Sequence, residues 1–263
     1  MKITANGISM NYTLEGPANA PVVTLSHSLA TTLAMWQPQL KPLTARWCVL
    51  SYDTRGHGGT DAPKAAYTLD LLADDAQALL RALGIQRTHW VGLSMGGMIG
   101  QTLALKAPEL FASLSLCDTS SRIPPEAKPL WDERIHTAET TGMEPLVEGT
   151  LNRWFTAPYK AKGGPVIDTV AGMIRSTRPA GYIGCCQAIS GLNLTDRIGA
   201  IKASTLIIVG EDDQGTPVAA SKVMNEKIPG SQLVILKSAA HLSNMEQPEA
   251  FTNALVGFLS KVS

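Results

Sequence analysis

Three features of this 263-residue sequence predict an α/β fold with a mainly parallel central sheet and helices on both of its faces. Short, nearly continuous apolar runs rich in β-branched residues are typical of strands buried on both sides. These runs alternate with helical segments along most of the chain. The alternation stops between about residues 119 and 193 and then resumes, which indicates a helical segment inserted into the α/β core.

The elements before the insertion begin with a hairpin in "KITANGISMNYTLEG", which alternates apolar and polar residues around Asn6-Gly7. The third and fourth strands lie in "APVVTLSHS" and "WCVLSYD", with a short helix in "MWQPQLKPL" between them. "TLDLLADDAQALLRALG" predicts a helix that ends at Gly84, because its leucines and alanines recur at helical spacing. The strand "THWVGL", an amphipathic helix in "MGGMIGQTLALKA" and the sixth strand "FASLSLCD" complete this part.

The inserted segment follows the sixth strand and contains many helix formers, aromatic residues and prolines, with no convincing strand. After it come the strand "STLIIVG", a helix from about Pro217, the strand "SQLVILK" and a last helix in "PEAFTNALVGFLSKV". We therefore predict a core domain of residues 1–118 and 194–263, and a helical cap of residues 119–193. Sites in open parallel sheets lie at the carboxyl ends of the strands, so we expect the cap to cover that edge.

The overall charge argues against binding to nucleic acid, because 22 basic residues are balanced by 22 acidic ones. Hydrophobic residues make up 44% of the chain and charged residues 17%, which fits a folded globular protein. The segment "MKITANGISMNY" lacks the apolar stretch of a signal peptide, and no apolar run approaches the ~18 residues that span a bilayer. We expect a cytoplasmic protein without membrane contact, and a homo-oligomer is compatible with these features.

The four cysteines do not form a metal-binding pattern. Cys185 and Cys186 are adjacent, and neighbouring cysteines rarely form an unstrained disulfide. The chain has neither a CxxC spacing nor a cysteine–histidine cluster of the kind that holds zinc. We expect reduced thiols and no zinc site.

A candidate nucleophile, Ser94, lies in "GLSMG", between a predicted strand and a predicted helix. The spacing fits the G-x-S-x-G nucleophile elbow, in which glycines two residues to either side relieve crowding around a strained serine. The amino end of the following helix favours negative charge that develops beside the serine. A tight turn built of small residues gives a similar pattern, and the strand and helix around it favour the catalytic interpretation.

The predicted partners of Ser94 follow later strands. A serine hydroxyl needs a base to become nucleophilic, and in this class of fold the acid and then the histidine follow the serine along the chain. His241 follows the strand "SQLVILK", and "GEDDQGTP" after "STLIIVG" carries the candidate acids. We choose Asp213, with Asp212 as the alternative and Glu211 as a solvated side chain. A histidine placed there by chance is the competing interpretation for His241.

Each group then has a distinct role. His241 takes the proton from Ser94 and later returns it, while Asp213 orients the imidazole and stabilises its charged form. Two backbone N–H groups are predicted to form the oxyanion hole. One is that of Met95, directly after the nucleophile, and the other is that of Leu29, in the loop after the third strand.

The chain resembles the 3-oxoadipate enol-lactonase group of α/β-hydrolases. The similar segments cover nearly the whole chain and are "LSHSLAT", "LSYDTRGHGGTDAP", "GLSMGGMIGQTLAL", "LSLCDTSSRIPPE", "NRWFT", "GYIGCC" and "AAHLSNMEQP". "DTRGHG" occurs across many hydrolases, and we assign it to turn structure. The segments in the insertion are more specific to this group, because the cap builds the substrate pocket. His27 departs from the pattern, since many members carry asparagine at this position.

This resemblance implies an α/β-hydrolase fold, a triad of Ser94, Asp213 and His241, and hydrolysis of 3-oxoadipate enol-lactone in the degradation of aromatic compounds. It implies neither a metal nor a cofactor. The substrate carries a free carboxylate, which needs a cation in a partly apolar pocket.

Five residues are tentative contacts of this substrate. Arg134 and Arg153 are the candidate cations, Trp131 and Trp154 the candidate pocket walls, and His27 a partner that orients the oxyanion loop. For the first four, solvated arginines and tryptophans that pack in the core are equally compatible with the sequence.

Two other functions stay open. The first is a general carboxylesterase or a C–C bond hydrolase with the same triad, and a pocket without a buried arginine would favour it. The second is a ligand receptor on this fold that is either non-catalytic or reacts with its ligand only once. Haloalkane dehalogenases and epoxide hydrolases are disfavoured, because they use aspartate where this chain has Ser94.

Overall fold

The computed structural model describes residues 1–262 and contains one eight-stranded sheet. The strands are β1 (Lys2–Ala5), β2 (Ile8–Glu15), β3 (Val22–Ser26), β4 (Cys48–Tyr52), β5 (Thr88–Leu93), β6 (Phe111–Cys117), β7 (Ser204–Gly210) and β8 (Gln232–Leu236). Their order across the sheet is β1-β2-β4-β3-β5-β6-β7-β8. Among the strand pairs of the described residues, only β1–β2 and β2–β4 are antiparallel, so the predicted mainly parallel sheet is confirmed.

Eleven α-helices are present in the described residues. They are α1 (Gln37–Thr44), α2 (Leu69–Ala82), α3 (Met95–Lys106), α4 (Lys128–Thr140), α5 (Leu146–Trp154), α6 (Ala157–Lys162), α7 (Pro165–Ser176), α8 (Pro179–Ser190), α9 (Val218–Lys227), α10 (Ser243–Glu246) and α11 (Pro248–Val262). Five of them, α4 to α8, lie between β6 and β7, where the sequence predicts an insertion.

Local signals account for the predicted hairpin and for α2. Asn6 and Gly7 have φ angles of 47° and 74°, the left-handed values that a two-residue turn of this kind needs. The Thr68 hydroxyl accepts a hydrogen bond from Leu71 N–H and caps the start of α2. Gly84 follows the end of this helix with a φ of 70°.

The helix α3 differs from its prediction, because it is not amphipathic. Ten of its twelve residues are buried, and only Leu105 and Lys106 at its carboxyl end are not. The helix packs against β5 and β6 and against α2, so only its carboxyl end reaches water. This explains why "MGGMIGQTLALK" contains so little polar surface.

The two ends of the inserted segment are joined to each other. Ile123 N–H donates to the Leu192 carbonyl at 3.0 Å, and Leu194 N–H donates to the Ser121 carbonyl at 2.7 Å. The chain therefore leaves and re-enters the core at one place, between β6 and β7. The helices between these points contribute walls to a cavity that also contains Ser94.

Candidate active site

Ser94 lies at the sharp turn from β5 to α3 and has the strained backbone angles φ 55° and ψ −115°. The glycines on both sides are needed for space. A Cβ atom on Gly92 would lie 2.2 Å from the Gly96 carbonyl oxygen, and one on Gly96 would lie 2.1 Å from the Ser26 carbonyl oxygen. The turn therefore holds the serine at the carboxyl end of the sheet, above a tightly packed backbone.

A continuous chain of hydrogen bonds joins three side chains that are distant in the sequence. His241 Nε2 lies 2.9 Å from Ser94 Oγ, and His241 Nδ1 lies 2.9 Å from Asp213 Oδ2. Because a carboxylate can only accept, Nδ1–H donates to Asp213, and the lone pair of Nε2 accepts from the serine hydroxyl. The imidazole thus holds the tautomer that a base for Ser94 requires.

The structure distinguishes Asp213 from its acidic neighbours. Asp213 is buried and accepts hydrogen bonds from the backbone N–H groups of Gly215 (2.8 Å) and Thr216 (3.0 Å) and from the Thr216 hydroxyl (2.6 Å). Asp212 and Glu211 are exposed, and Glu211 pairs with Lys237. Only Asp213 is oriented toward His241.

The charges of this pair stabilise each other. Burial alone would lower the pKa of His241, but the charge of Asp213 and the hydrogen bond to it together raise this pKa above its ordinary value. Burial alone would raise the pKa of Asp213, and the His241 charge with the hydrogen bonds from His241 and Thr216 instead lowers it. Asp213 therefore stays ionised and favours the imidazolium that forms when His241 takes a proton.

The predicted oxyanion loop is held in place by two buried histidines. Ala30, with a φ of 56°, donates its N–H to His57 Nε2 at 2.9 Å. His27 accepts from Thr54 N–H at 2.8 Å and donates Nδ1–H to the Ser28 carbonyl at 2.7 Å. Burial lowers the pKa of both imidazoles, to about 3 for His57, so both stay neutral and keep these bonds.

These contacts require one correction. His27 does not line the cavity, because its ring is fully buried beneath the oxyanion loop, so it orients this loop and does not contact a substrate directly. Leu29 does line the cavity. Within residues 1–262, neither the N–H of Leu29 nor that of Met95 donates to a protein acceptor.

A cavity of about 520 Å³ opens above Ser94 and His241, a size that suits a small molecule. The structure places Trp131, Arg134, Arg153 and Trp154 in its wall, as the sequence predicts for a substrate pocket. Trp154 also stacks on the His241 ring, with their centroids 6.0 Å apart. The inserted helices thus supply both apolar walls and cations to the space beside the serine.

The charge of the cavity is one-sided. Among the residues within 1–262 that line it, three are arginines (Arg122, Arg134 and Arg153) and none is acidic. Within residues 1–262, the arginines that form ion pairs are Arg55 and Arg175, and neither of them lines the cavity. Burial, and then the charge of Arg134, lowers the pKa of Arg153. The Arg134 guanidinium lies over the Trp131 ring at 4.8 Å, and its buried Nε has no hydrogen-bond partner there. An anion would relieve this unbalanced charge.

The inserted segment is attached to the loop that carries His241. Leu242 N–H donates to the Trp154 carbonyl at 3.1 Å. The buried Glu246 accepts from Thr156 N–H and from the Thr156 hydroxyl with one oxygen, and from Ala240 N–H (2.9 Å) with the other. Glu246 therefore ties the inserted segment, at the start of α6, to the residue that precedes the histidine.

Sequence reasoning missed several residues of the site. Arg122 and Tyr182 line the cavity, and Glu246 joins the inserted segment to the loop that carries His241. Arg122 stands in "TSSRIPPE" at the start of the insertion, where its position beside the core could have indicated a pocket residue. Nothing local marks Glu246, since its partners are ninety residues upstream and six residues upstream.

The described residues show neither a metal-binding cluster nor a disulfide. No group of three or more histidine, cysteine or acidic side chains within 1–262 is arranged to hold a metal ion. All four cysteines are free and buried. None of the helices in this range is long and apolar enough to cross a membrane.

The sequence pattern of the α/β hydrolase fold matches residues 21–248. The chain is 33% identical to 3-oxoadipate enol-lactonase 2 of Acinetobacter baylyi, covering 98% of this chain and 96% of the relative. It is 27% identical to a putative carbamate hydrolase, RutD, of Agrobacterium fabrum, covering 95% and 98%. The crystal structure of the enol-lactonase from Burkholderia xenovorans LB400 superposes with a TM-score of 0.95 at 37% identity, covering 99% of this chain and 100% of that one.

Proposed function

The chain belongs to the α/β-hydrolase family, and on that basis we propose that it hydrolyses a small carboxylic ester or lactone through an acyl-enzyme on Ser94. The substrate that fits best is 3-oxoadipate enol-lactone. One observation carries this proposal. Ser94 and His241, which are hydrogen-bonded to each other and through His241 to Asp213, line a cavity. Among the residues within 1–262 that line this cavity, three are arginines and none is acidic. The enol-lactonases among its relatives support the choice of substrate.

The first half of the reaction forms the acyl-enzyme. His241 Nε2 removes the proton of Ser94 Oγ as this oxygen attacks the lactone carbonyl carbon. The N–H groups of Leu29 and Met95 stabilise the oxyanion that results, and each such donor contributes about 3 kcal/mol. The carbon–oxygen bond of the ring then breaks, and the enolate that leaves takes the proton held by His241. The enol that results tautomerises to the ketone, and His241 is neutral again. This leaving group is stable, so acylation needs little acid catalysis.

The second half releases the product. The neutral His241 removes a proton from a water molecule, whose oxygen attacks the acyl carbon. Collapse of the second tetrahedral intermediate returns a proton from His241 to Ser94 Oγ and frees the carboxylic acid. Asp213 keeps its charge throughout and stabilises the imidazolium in both halves.

The arginines give the proposal its specificity. A substrate carboxylate beside Arg134 and Arg153 would receive charge-assisted hydrogen bonds in a partly apolar cavity. A hydrogen bond to a charged group contributes roughly 1.5–3 kcal/mol, so loss of the responsible arginine should lower kcat/KM by roughly 10- to 150-fold. An uncharged ester of the same size should lose little.

The proposal is tested by a matrix of substrates and variants. The substrates are the carboxylated enol-lactone, its methyl ester, a saturated lactone, a p-nitrophenyl ester and a carbamate. The variants are Arg134→Gln and Arg153→Gln, with Arg175→Gln as the matched control, because Arg175 is exposed on α7 and pairs with Glu144. We expect the wild-type protein to prefer the carboxylated lactone. One of the two cavity variants should lose this preference and keep its activity toward the uncharged substrates.

Other outcomes would identify another function. Equal kcat/KM for the lactone and its methyl ester would favour a general carboxylesterase or a C–C bond hydrolase. Preference for the carbamate would align the chain with its carbamate hydrolase relative. A single burst of product without steady turnover would favour a ligand receptor.

A further inference from the structure

A second carboxyl group, that of Asp118, lies beneath the proposed triad and has no part in the mechanism described above. Asp118 directly follows β6, is fully buried and has a φ of 42°, a conformation that costs energy for any residue other than glycine. A strained, buried acid persists only where its surroundings hold it in place.

The side chain of Asp118 joins the loops that carry the acid and the base. Its Oδ1 accepts from Gly210 N–H at 2.8 Å, three residues before Asp213. Its Oδ2 accepts from the Ser243 hydroxyl at 2.5 Å, two residues after His241. One carboxyl group therefore fixes the end of β7 relative to the start of α10.

The backbone around Asp118 is attached to the third loop, the turn of the nucleophile. The Cys117 carbonyl accepts from Ser94 N–H at 2.8 Å, and the Thr119 hydroxyl donates to the Ser94 carbonyl at 2.8 Å. Residues 117–119 thus contact the serine turn, the acid loop and the histidine loop. Since β6 lies between β5 and β7 in the sheet, this corner is the point where the three loops can share one anchor.

The surroundings of Asp118 disfavour a negative charge on its carboxyl group. Burial, and then the nearby charge of Asp213, raises its pKa well above the ordinary value, although His241 and the hydrogen bonds from Ser243 and Gly210 oppose this. The other titratable group beside it, the Cys117 thiol, is neutral because burial and Asp118 raise its pKa as well. No lysine or arginine within the described chain pairs with Asp118. A second negative charge beside His241 is therefore disfavoured, and the two hydrogen bonds are what the Asp118 side chain contributes here.

We propose that Asp118 is a positioning residue, whose two hydrogen bonds hold the Asp213 and His241 loops at the separation that lets His241 reach Ser94. This rests on the proposed function only in taking Ser94 as the nucleophile. The reacting atoms must be held within a few tenths of an ångström, and a displacement of about 1 Å can cost about 100-fold in rate. The hydrogen bonds of Asp118, and not a charge, are therefore what catalysis needs from it.

Three variants separate these contributions. Asp118→Asn keeps an oxygen for Gly210 N–H and offers an amide N–H to Ser243 Oγ, so we expect kcat within about threefold of the wild type. Asp118→Ala removes both bonds, and we expect kcat to fall by roughly 30- to 100-fold with KM nearly unchanged. Ser243→Ala removes one bond, and we expect a loss of about 10-fold.

The assays must distinguish positioning from a loss of folded protein. Each variant is measured with a p-nitrophenyl ester for kcat and KM, by thermal unfolding, and by the proton NMR resonance of His241 Nδ1–H. Asp118→Ala should stay folded at the assay temperature, yet its Nδ1–H resonance should shift or broaden. In Asp118→Asn both that resonance and the acid limb of the pH–rate profile should stay where they are in the wild type.

Several results would overturn the proposal. Full kcat in folded Asp118→Ala would do so, as would full kcat in Ser243→Ala if the alanine variant at 118 does not fold. An acid limb that moves to lower pH in Asp118→Asn would show that a charge on Asp118 acts on His241 directly.

A test of Ser94 alone separates this proposal from the proposed function. We measure the rate at which a sulfonyl fluoride inactivates each variant, a reaction that needs no substrate assignment. No inactivation of the wild-type protein would contradict the proposed nucleophile. Equal inactivation rates for the wild type and for folded Asp118→Ala would contradict the positioning role of Asp118 but would leave Ser94 as the nucleophile.

Discussion

Replacing Asp213 with asparagine should reverse the tautomer of His241, because the surroundings dictate how the new amide is oriented. Two backbone N–H groups, those of Gly215 (2.8 Å) and Thr216 (3.0 Å), donate to Oδ1 and therefore require an oxygen there. The amide nitrogen must then take the place of Oδ2, 2.9 Å from His241 Nδ1. Its N–H donates to Nδ1, which moves the imidazole proton to Nε2.

The size of the effect follows from this reversal. Nε2–H would face Ser94 Oγ at 2.9 Å as a donor and could not accept the serine proton. The same replacement in the Ser-His-Asp triad of a serine protease lowers kcat by about 10⁴-fold, which corresponds to about 5.4 kcal/mol of activation free energy. We expect a loss of similar size for Asp213→Asn, while the protein stays folded and KM changes little.

The assay is kcat for a p-nitrophenyl ester, with Asp212→Asn as the control. Asp212 is the adjacent residue, is exposed and is not among the hydrogen-bond partners of His241 within residues 1–262, so its variant should keep full activity. A loss smaller than about 10-fold in Asp213→Asn would refute the reasoning, because it would show that His241 does not need Asp213 to act as a base. An equal loss in Asp212→Asn would refute the choice between the two acids.

Three further predictions concern pH, packing and the attachment of the inserted helices. The acid limb of kcat/KM in a pH–rate profile should have its midpoint above the ordinary imidazole pKa. The reason is that protonated His241 cannot act as a base and that the pKa of His241 is raised. A midpoint below the ordinary value would contradict this. Gly96→Ala should lower Tm by several degrees, because the new Cβ would lie 2.1 Å from the Ser26 carbonyl oxygen. The control, Gly172→Ala, places its Cβ in open space on α7 and should leave Tm unchanged or raise it slightly. Glu246→Ala should lower kcat about 10-fold and make the inserted helices more sensitive to limited proteolysis, and unchanged kinetics and proteolysis would argue against coupling through this residue.

Much of the fold could be predicted because its signals are local. The hairpin turn at Asn6-Gly7, the cap at Gly84 and the apolar strands each depend on residues that are neighbours in the sequence. The order of serine, acid and histidine was predictable for the same reason, since each follows its own strand directly. Parallel strands bring their carboxyl ends to one edge of the sheet whatever the loops contain.

The features that could not be predicted depend on contacts between distant segments. Asp212 and Asp213 differ by one position, and only the path of the loop shows which carboxylate reaches His241. The helix α3 was expected to have a polar face, but α2 covers that side of it. Asp118 looks like an ordinary residue at the end of a strand until Gly210 and Ser243 are placed against it.

The most direct test of the central claim is the fate of Ser94 during turnover. Wild-type protein is mixed with p-nitrophenyl acetate, quenched in acid and examined by mass spectrometry, beside a folded Ser94→Ala variant. We predict one acetyl group on the peptide that contains Ser94 in the wild type, and neither this adduct nor turnover in the variant. Turnover that survives in Ser94→Ala, or an acetyl group on a different residue, would contradict the claim that this serine is the nucleophile.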